Sequence, residues 1–103
     1  MKLAQNTIEF MESHKMAKLV DIEKKEIKVD KVGKYIDKYG EVKIVFTIDG
    51  DTKHYYYMPS VMVKFFNDKA IEDLNNGKDI IKGIFTKKPT DKGRSMWTFE
   101  DID

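Results

Sequence analysis

The chain has 103 residues, 41% of them apolar and 12% aromatic, which is enough for one small core and too short for two domains. Its 19 basic and 18 acidic side chains leave a net charge of +1, so bulk attraction to nucleic acid or membrane is excluded and any electrostatic role needs an uneven charge distribution. The absence of cysteine excludes disulfide scaffolds and thiolate zinc sites, no apolar run approaches the roughly 20 residues of a bilayer span, and MKLAQNTIEF lacks the apolar segment of a secretory signal. These features predict a cytoplasmic protein with no membrane partner.

In chain order, residues 7–16 read as a short helix. Asn6 followed by Glu9 is a capping box, and Ile8, Met11 and Ala17 supply an apolar stripe, although TIEFM also suits the start of a strand. From Lys18 to Val29 the pattern alternates, with Val20 and Ile22 on one parity and Ile27 and Val29 on the other. That switch predicts a bulge or bend near Lys24 and Lys25. Residues 30–40 read as a loop. Val42, Ile44, Phe46 and Ile48 then alternate with Lys43, Val45 and Thr47, Asp49-Gly50-Asp51 turns the chain, and Thr52 to Met58 returns as a tyrosine-rich strand.

A three-residue loop makes cross-strand partners sum to 100, so that Val42, Ile44 and Phe46 share an inner face with Met58, Tyr56 and His54. The outer face then carries Lys43, Val45 and Thr47 beside Tyr57, Tyr55 and Lys53. A two-residue turn would reverse the parity and put Lys53 in the core, so the longer loop is preferred. Residues 61–76 repeat apolar positions at helical spacing, with Asn67-Asp68 a place where the helix could divide and Asn75-Asn76-Gly77 a stop. Two strands, 78–86 and 95–102, finish the chain, joined by the polar stretch KKPTDKGR, which reads as a flexible exposed loop.

A short N-terminal helix, then strand, strand, strand, helix, strand, strand, with the first strand bent, is the order of a mainly β, five-stranded OB-like Greek-key barrel. Residues 1–17 form the helical extension and 18–102 the barrel, all within a single domain; a small α+β sandwich is the alternative. In such a barrel the binding surface lies on the second and third strands, flanked here by the loops 30–40 and 87–94.

With this element order, its size, the third strand HYYYM and the basic loop KKPTDKGR, the chain resembles the small single-stranded-DNA-binding proteins of bacteriophages that infect low-GC Gram-positive bacteria. The resemblance implies an OB-fold that coats single-stranded DNA during phage replication or recombination, as a homo-oligomer, in the host cytoplasm.

Charge counted by segment agrees with a local surface. Residues 78–96 carry six basic and two acidic side chains, whereas the last seven residues carry three acidic and no basic ones. Lys87, Lys88, Lys92 and Arg94 therefore form a cationic cluster, with Trp97 following it as either the largest core residue or a stacking platform. Single-strand binding needs both cations that track phosphates and flat rings that stack on bases. Tyr55 and Tyr57 are further platforms, or else cover for the barrel or a dimer interface, and Lys43 and Lys53 lie beside them. Lys34, Tyr35, Lys38 and Tyr39 repeat the lysine-tyrosine theme in the first loop.

Catalysis has little to rest on. His14 and His54 lack carboxylates at metal-ligand spacing, Asp49 and Asp51 lack the later glutamate of a calcium loop, and no serine sits in a nucleophile elbow. The expected function is non-enzymatic binding of single-stranded DNA with little sequence preference, without cofactor, metal or small-molecule substrate. A protein-interaction or oligomerisation module and an RNA-binding OB module are the alternatives.

Overall fold

The computed structural model describes residues 3–90 and 93–102. Its elements are helix α1 (Leu3–Ser13), strand β1 (Lys15–Met16), a 3-10 turn (Leu19–Ile22), β2 (Glu26–Ile36), β3 (Val42–Ile48), β4 (His54–Tyr57), helices α2 (Ser60–Val63) and α3 (Asp68–Asn75), β5 (Lys82–Pro89) and β6 (Ser95–Asp101). The strands form one open, mixed six-stranded sheet in the order β1-β4-β3-β2-β5-β6. Six strands replace the expected five because the residues after α1 add β1, which runs parallel to β4 with Lys15 opposite His54. No helix among the described residues is long and apolar enough to cross a membrane.

Strand β3, VKIVFTI, is β-branched or aromatic at every position but Lys43 and lies inside the sheet, and from Ile44 to Ile48 it is buried on both faces. On the inner face Ile44, Phe46 and Ile48 meet Ile27, Val29, Val32, Tyr56, Met58, Ile71, Leu74 and Phe85 in the core. Phe46 stacks between Tyr56 and Phe85, with both centroids 5.7 Å away.

The parity switch expected at Lys24–Lys25 has two parts. Lys24 has φ of 64° where the chain leaves the 3-10 turn, so the predicted strand over 18–29 starts only at Glu26. Within β2 the register against β3 then slips by one residue between Val29, opposite Ile48, and Val32, opposite Phe46. That bulge lets Val29 and Val32, of opposite parity, both face the core. Its main-chain groups find side-chain partners: Lys31 N–H donates to Thr47 Oγ1, and the Asn75 amide clamps Val32, accepting from its N–H at 2.8 Å and donating to its carbonyl at 2.9 Å.

Several expected boundaries move. Helix α1 begins at Leu3, so Asn6 lies within it and is no cap. The predicted loop 30–40 is strand as far as Ile36, followed by a tight turn in which Asp37 Oδ1 accepts from the amides of Tyr39 and Glu41. In the next hairpin Val45 faces Tyr57 and Phe46 faces Tyr56, so partners sum to 102. The faces keep their expected parity, but Lys53 moves into the connection, where Asp51 Oδ1 takes the amides of Lys53 and His54. The helical segment divides at Asn67, whose side chain caps α3 by accepting from Ala70 N–H at 2.8 Å. Finally, Lys87–Pro89 continue β5 instead of forming a loop, because β5 and β6 pair without interruption from Gly83–Asp101 to Pro89–Ser95.

Candidate nucleic-acid interface

The outer face of β2, β3 and β4 carries Gly33, Tyr35, Lys43, Val45, Thr47, Tyr55 and Tyr57, as the strand registers require. Helix α1 lies across part of it. Thr7 Oγ1 accepts from Lys34 N–H at 2.9 Å and donates to Lys34 carbonyl at 3.1 Å, and a Cβ on Gly33 would stand 2.6 Å from the same oxygen. The helix approaches the strand this closely only because residue 33 has no side chain. Further along, Phe10 stacks on His14 at 4.4 Å and covers Tyr55 at 6.2 Å, leaving Tyr55 only 8% exposed and Val45 fully buried.

Tyr55 is therefore packed under α1, and a base cannot stack on it while the helix is seated. Sequence reading missed Thr7 and Phe10 as the covering residues. The available signals were Gly33 inside a strand, which marks a close approach, and Val45 on a face otherwise read as solvent-exposed.

Beyond the helix the same face stays partly open. Tyr35 and Tyr57 share a hydrogen bond between their hydroxyls at 2.9 Å, and Tyr57 meets Tyr55 edge-on at 5.8 Å. Burial raises the pKa of Tyr55, Tyr56 and Tyr57, so all three are neutral phenols at physiological pH. Lys43, beside them, is 3.4 Å from Glu41. In the adjoining turn Tyr39 is 80% exposed, with the Lys38 ammonium 5.2 Å from its ring centroid. Lys34 points to the opposite face, opposite Ile44, and is paired with Asp68 at 3.0 Å. It is committed to holding α3, and its charge is already balanced.

The second group lies on the β5–β6 ribbon. Only Lys82 to Ile84 of β5 pair with β2, so the remainder projects past the start of that strand with Lys87, Lys88 and Arg94 exposed. None of these three cations forms an ion pair among the described residues. Trp97 is opposite Lys87, whose ammonium lies 6.0 Å from the indole centroid. The indole is half-buried: one part packs on the core beside Phe85 and Phe99, and the rest is accessible. Part of the ring therefore belongs to the core and part of it reaches the surface. Lys92 lies outside the described residues, and Lys53 is exposed in the β3–β4 connection.

Comparison of the chain with protein-family models, curated proteins and solved structures returns no match. The geometry divides the residues predicted to form one surface into two groups. Tyr35, Lys38, Tyr39, Lys43 and Tyr57 gather at the C-terminal end of β2, and Lys87, Lys88, Arg94 and Trp97 project beyond its N-terminal end. At ~3.3 Å per residue the stretch of β2 from Glu26 to Tyr35 puts about 30 Å of strand between them. Among the described residues there is no cluster of three or more histidine, aspartate or glutamate side chains arranged to hold a metal ion.

Proposed function

We propose that the protein binds single-stranded DNA non-enzymatically and with little sequence preference, on an OB-like scaffold whose main contact surface is the β5–β6 ribbon. The supporting observation is the ribbon itself, where three exposed cations without ion-pair partners among the described residues share two strands with a partly accessible tryptophan, Lys87 on the same face as the ring and Lys88 on the other. Cations beside a flat ring are what a flexible, charged, stackable chain needs, and each stacked base contributes about 1 to 3 kcal/mol. The scaffold reading is supported by connectivity. Leaving aside β1, the order β4-β3-β2-β5-β6 is that of the third, second, first, fourth and fifth strands of an OB barrel. Tyr39 and Lys38 offer a second contact at the far end of β2, whereas Tyr55, beneath Phe10, is left out.

Titration with an oligothymidine strand tests this reading. Trp97 fluorescence is expected to be quenched, and with about four phosphates engaged, log affinity against log salt should fall with a slope near −3. Replacing both Lys87 and Lys88 by alanine should flatten that slope by about 1.4, at roughly 0.7 per contact. Binding that ignores salt, or equal affinity for duplex and single strand, would overturn the proposal. Tighter binding to oligouridine than to oligothymidine would redirect it to RNA.

A further inference from the structure

We propose that β6 is the docking edge for a second copy of this chain, which pairs antiparallel to it through the main chain to form a two-fold dimer. The sheet has two ends that differ sharply. At one, β1 is two residues long, which leaves little edge to pair with. At the other, β6 offers seven residues, SMWTFED, with no proline, no lysine and no bulge in its register with β5. Proline, lysine and bulges are among the devices by which natural sheets block an edge, and this one has none of the three; its charges, Glu100 and Asp101, stand together at one end.

The direction of its main-chain groups follows from one contact. Ile102 N–H donates to Lys82 carbonyl at 2.9 Å, so the even-numbered residues of β6 point their amides and carbonyls at β5. By alternation, Ser95, Trp97, Phe99 and Asp101 aim theirs away from the sheet, where no described strand meets them.

Charge selects the partner and its direction. Arg94 stands at the start of β6 and Glu100 and Asp101 at its end, all exposed and none ion-paired among the described residues. A parallel copy would put arginine on arginine and acid on acid. An antiparallel copy brings the Arg94 end beside the Glu100–Asp101 end twice over, and leaves Lys87 and Lys88 as the described ribbon cations that stay free to meet DNA. It also uses the same patch on both subunits, so the assembly closes as a dimer and does not grow into a fibre.

The side chains agree with the main chain. Trp97 and Phe99 lie on the core side of β6, next to an apolar groove of about 290 Å³ lined by Met58, Met62, Phe65, Phe85 and Phe99. Phe65 is 67% exposed there, and a strand seated on β6 would roof the groove.

Sedimentation equilibrium of the full chain without nucleic acid tests the proposal independently of DNA binding. Mass should rise with concentration from one chain to two and stop there, and added salt should shift the equilibrium toward monomer. Arg94→Glu and Glu100→Arg should each weaken association at least about tenfold, since one reversal acts at two symmetric contacts, and the double swap R94E/E100R should restore it. Both positions are exposed, so the variants keep the fold, which circular dichroism would verify. The amides of Trp97 and Phe99 should exchange more slowly at high protein concentration than at low. A chain that stays monomeric at every accessible concentration, an R94E variant that associates like the wild type, or a dimer in which those two amides gain no protection would each overturn it.

Discussion

Asn75 shows how one side chain can take the place of a missing strand. Val32, like Lys34, turns its main-chain groups away from β3, on the side where β5 pairs with β2 only as far as Lys28, and the Asn75 amide supplies both a donor and an acceptor to that residue. Asn75→Ala should therefore destabilise the protein by about 1 to 3 kcal/mol, because buried backbone groups are left without partners. Asn75→Asp, which keeps only the acceptor, should fall between the two in urea denaturation; equal stability of all three would mean that water substitutes for the clamp. The tyrosines make a pH prediction. Burial holds the pKa of Tyr55, Tyr56 and Tyr57 above the ordinary value of 10.0. Above pH 10 the unfolded chain releases protons that the folded chain retains, so their contribution is complete below pH 10 and is lost as pH rises past it. Alkaline titration should show tyrosinate absorbance appearing late for these residues and coinciding with loss of near-ultraviolet circular dichroism.

Among the elements, α1 is the one whose position changes the functional reading. Its contact with the sheet rests on Thr7 against Gly33 and on Phe10 over Tyr55, both on the face that strand alternation assigns to solvent. Alternation identifies which residues share a face and cannot say what covers it. The hairpin faces are those that alternation predicts, with Tyr55 and Tyr57 together on the outer side, but the covering helix lies more than 40 residues earlier in the chain. Phe10→Ala removes a half-buried ring and should lower stability by about 1 to 2 kcal/mol, below the 3 to 5 typical of a fully buried phenylalanine. It should also change the near-ultraviolet signal of Tyr55; an unchanged denaturation midpoint together with an unchanged spectrum would mean that α1 does not seat there. The β5–β6 ribbon is the opposite case, since its lysines look like a loop composition but its backbone pairs through Pro89. Proline tolerates that place because residue 89, opposite Ser95, turns its nitrogen away from β6, so the ladder loses no donor.

For the whole molecule, the consequence of topology is a sheet that is covered at its centre and open at its rim. Strand β3 has neighbours on both sides and cover on both faces, whereas the ribbon beyond Phe85 pairs only with itself. Hydrogen exchange should accordingly be slowest for Ile44 to Ile48 and faster at Lys88 and Met96 on the ribbon in dilute solution, and equal protection of the two would contradict this architecture. What the sequence determined on its own was local: the hairpin of β3 and β4, the presence of the helices and of the two last strands, the parity of the hairpin faces, the helix division at Asn67 and the concentration of positive charge near residues 87–94. Each depends on neighbours a few residues apart, where hydrophobic period, capping and turn chemistry act. Tertiary structure alone decided that Val32 is clamped by Asn75, 43 positions away, and that Lys34 is held by Thr7, 27 positions away. It also decided that Tyr55 is covered, that the two cation-aromatic groups stand apart and that β6 is left as an edge. The physical reason is that a strand's alternation specifies which side chains must leave water together, while the segment that removes them from water is chosen only when distant parts of the chain compete for the same face.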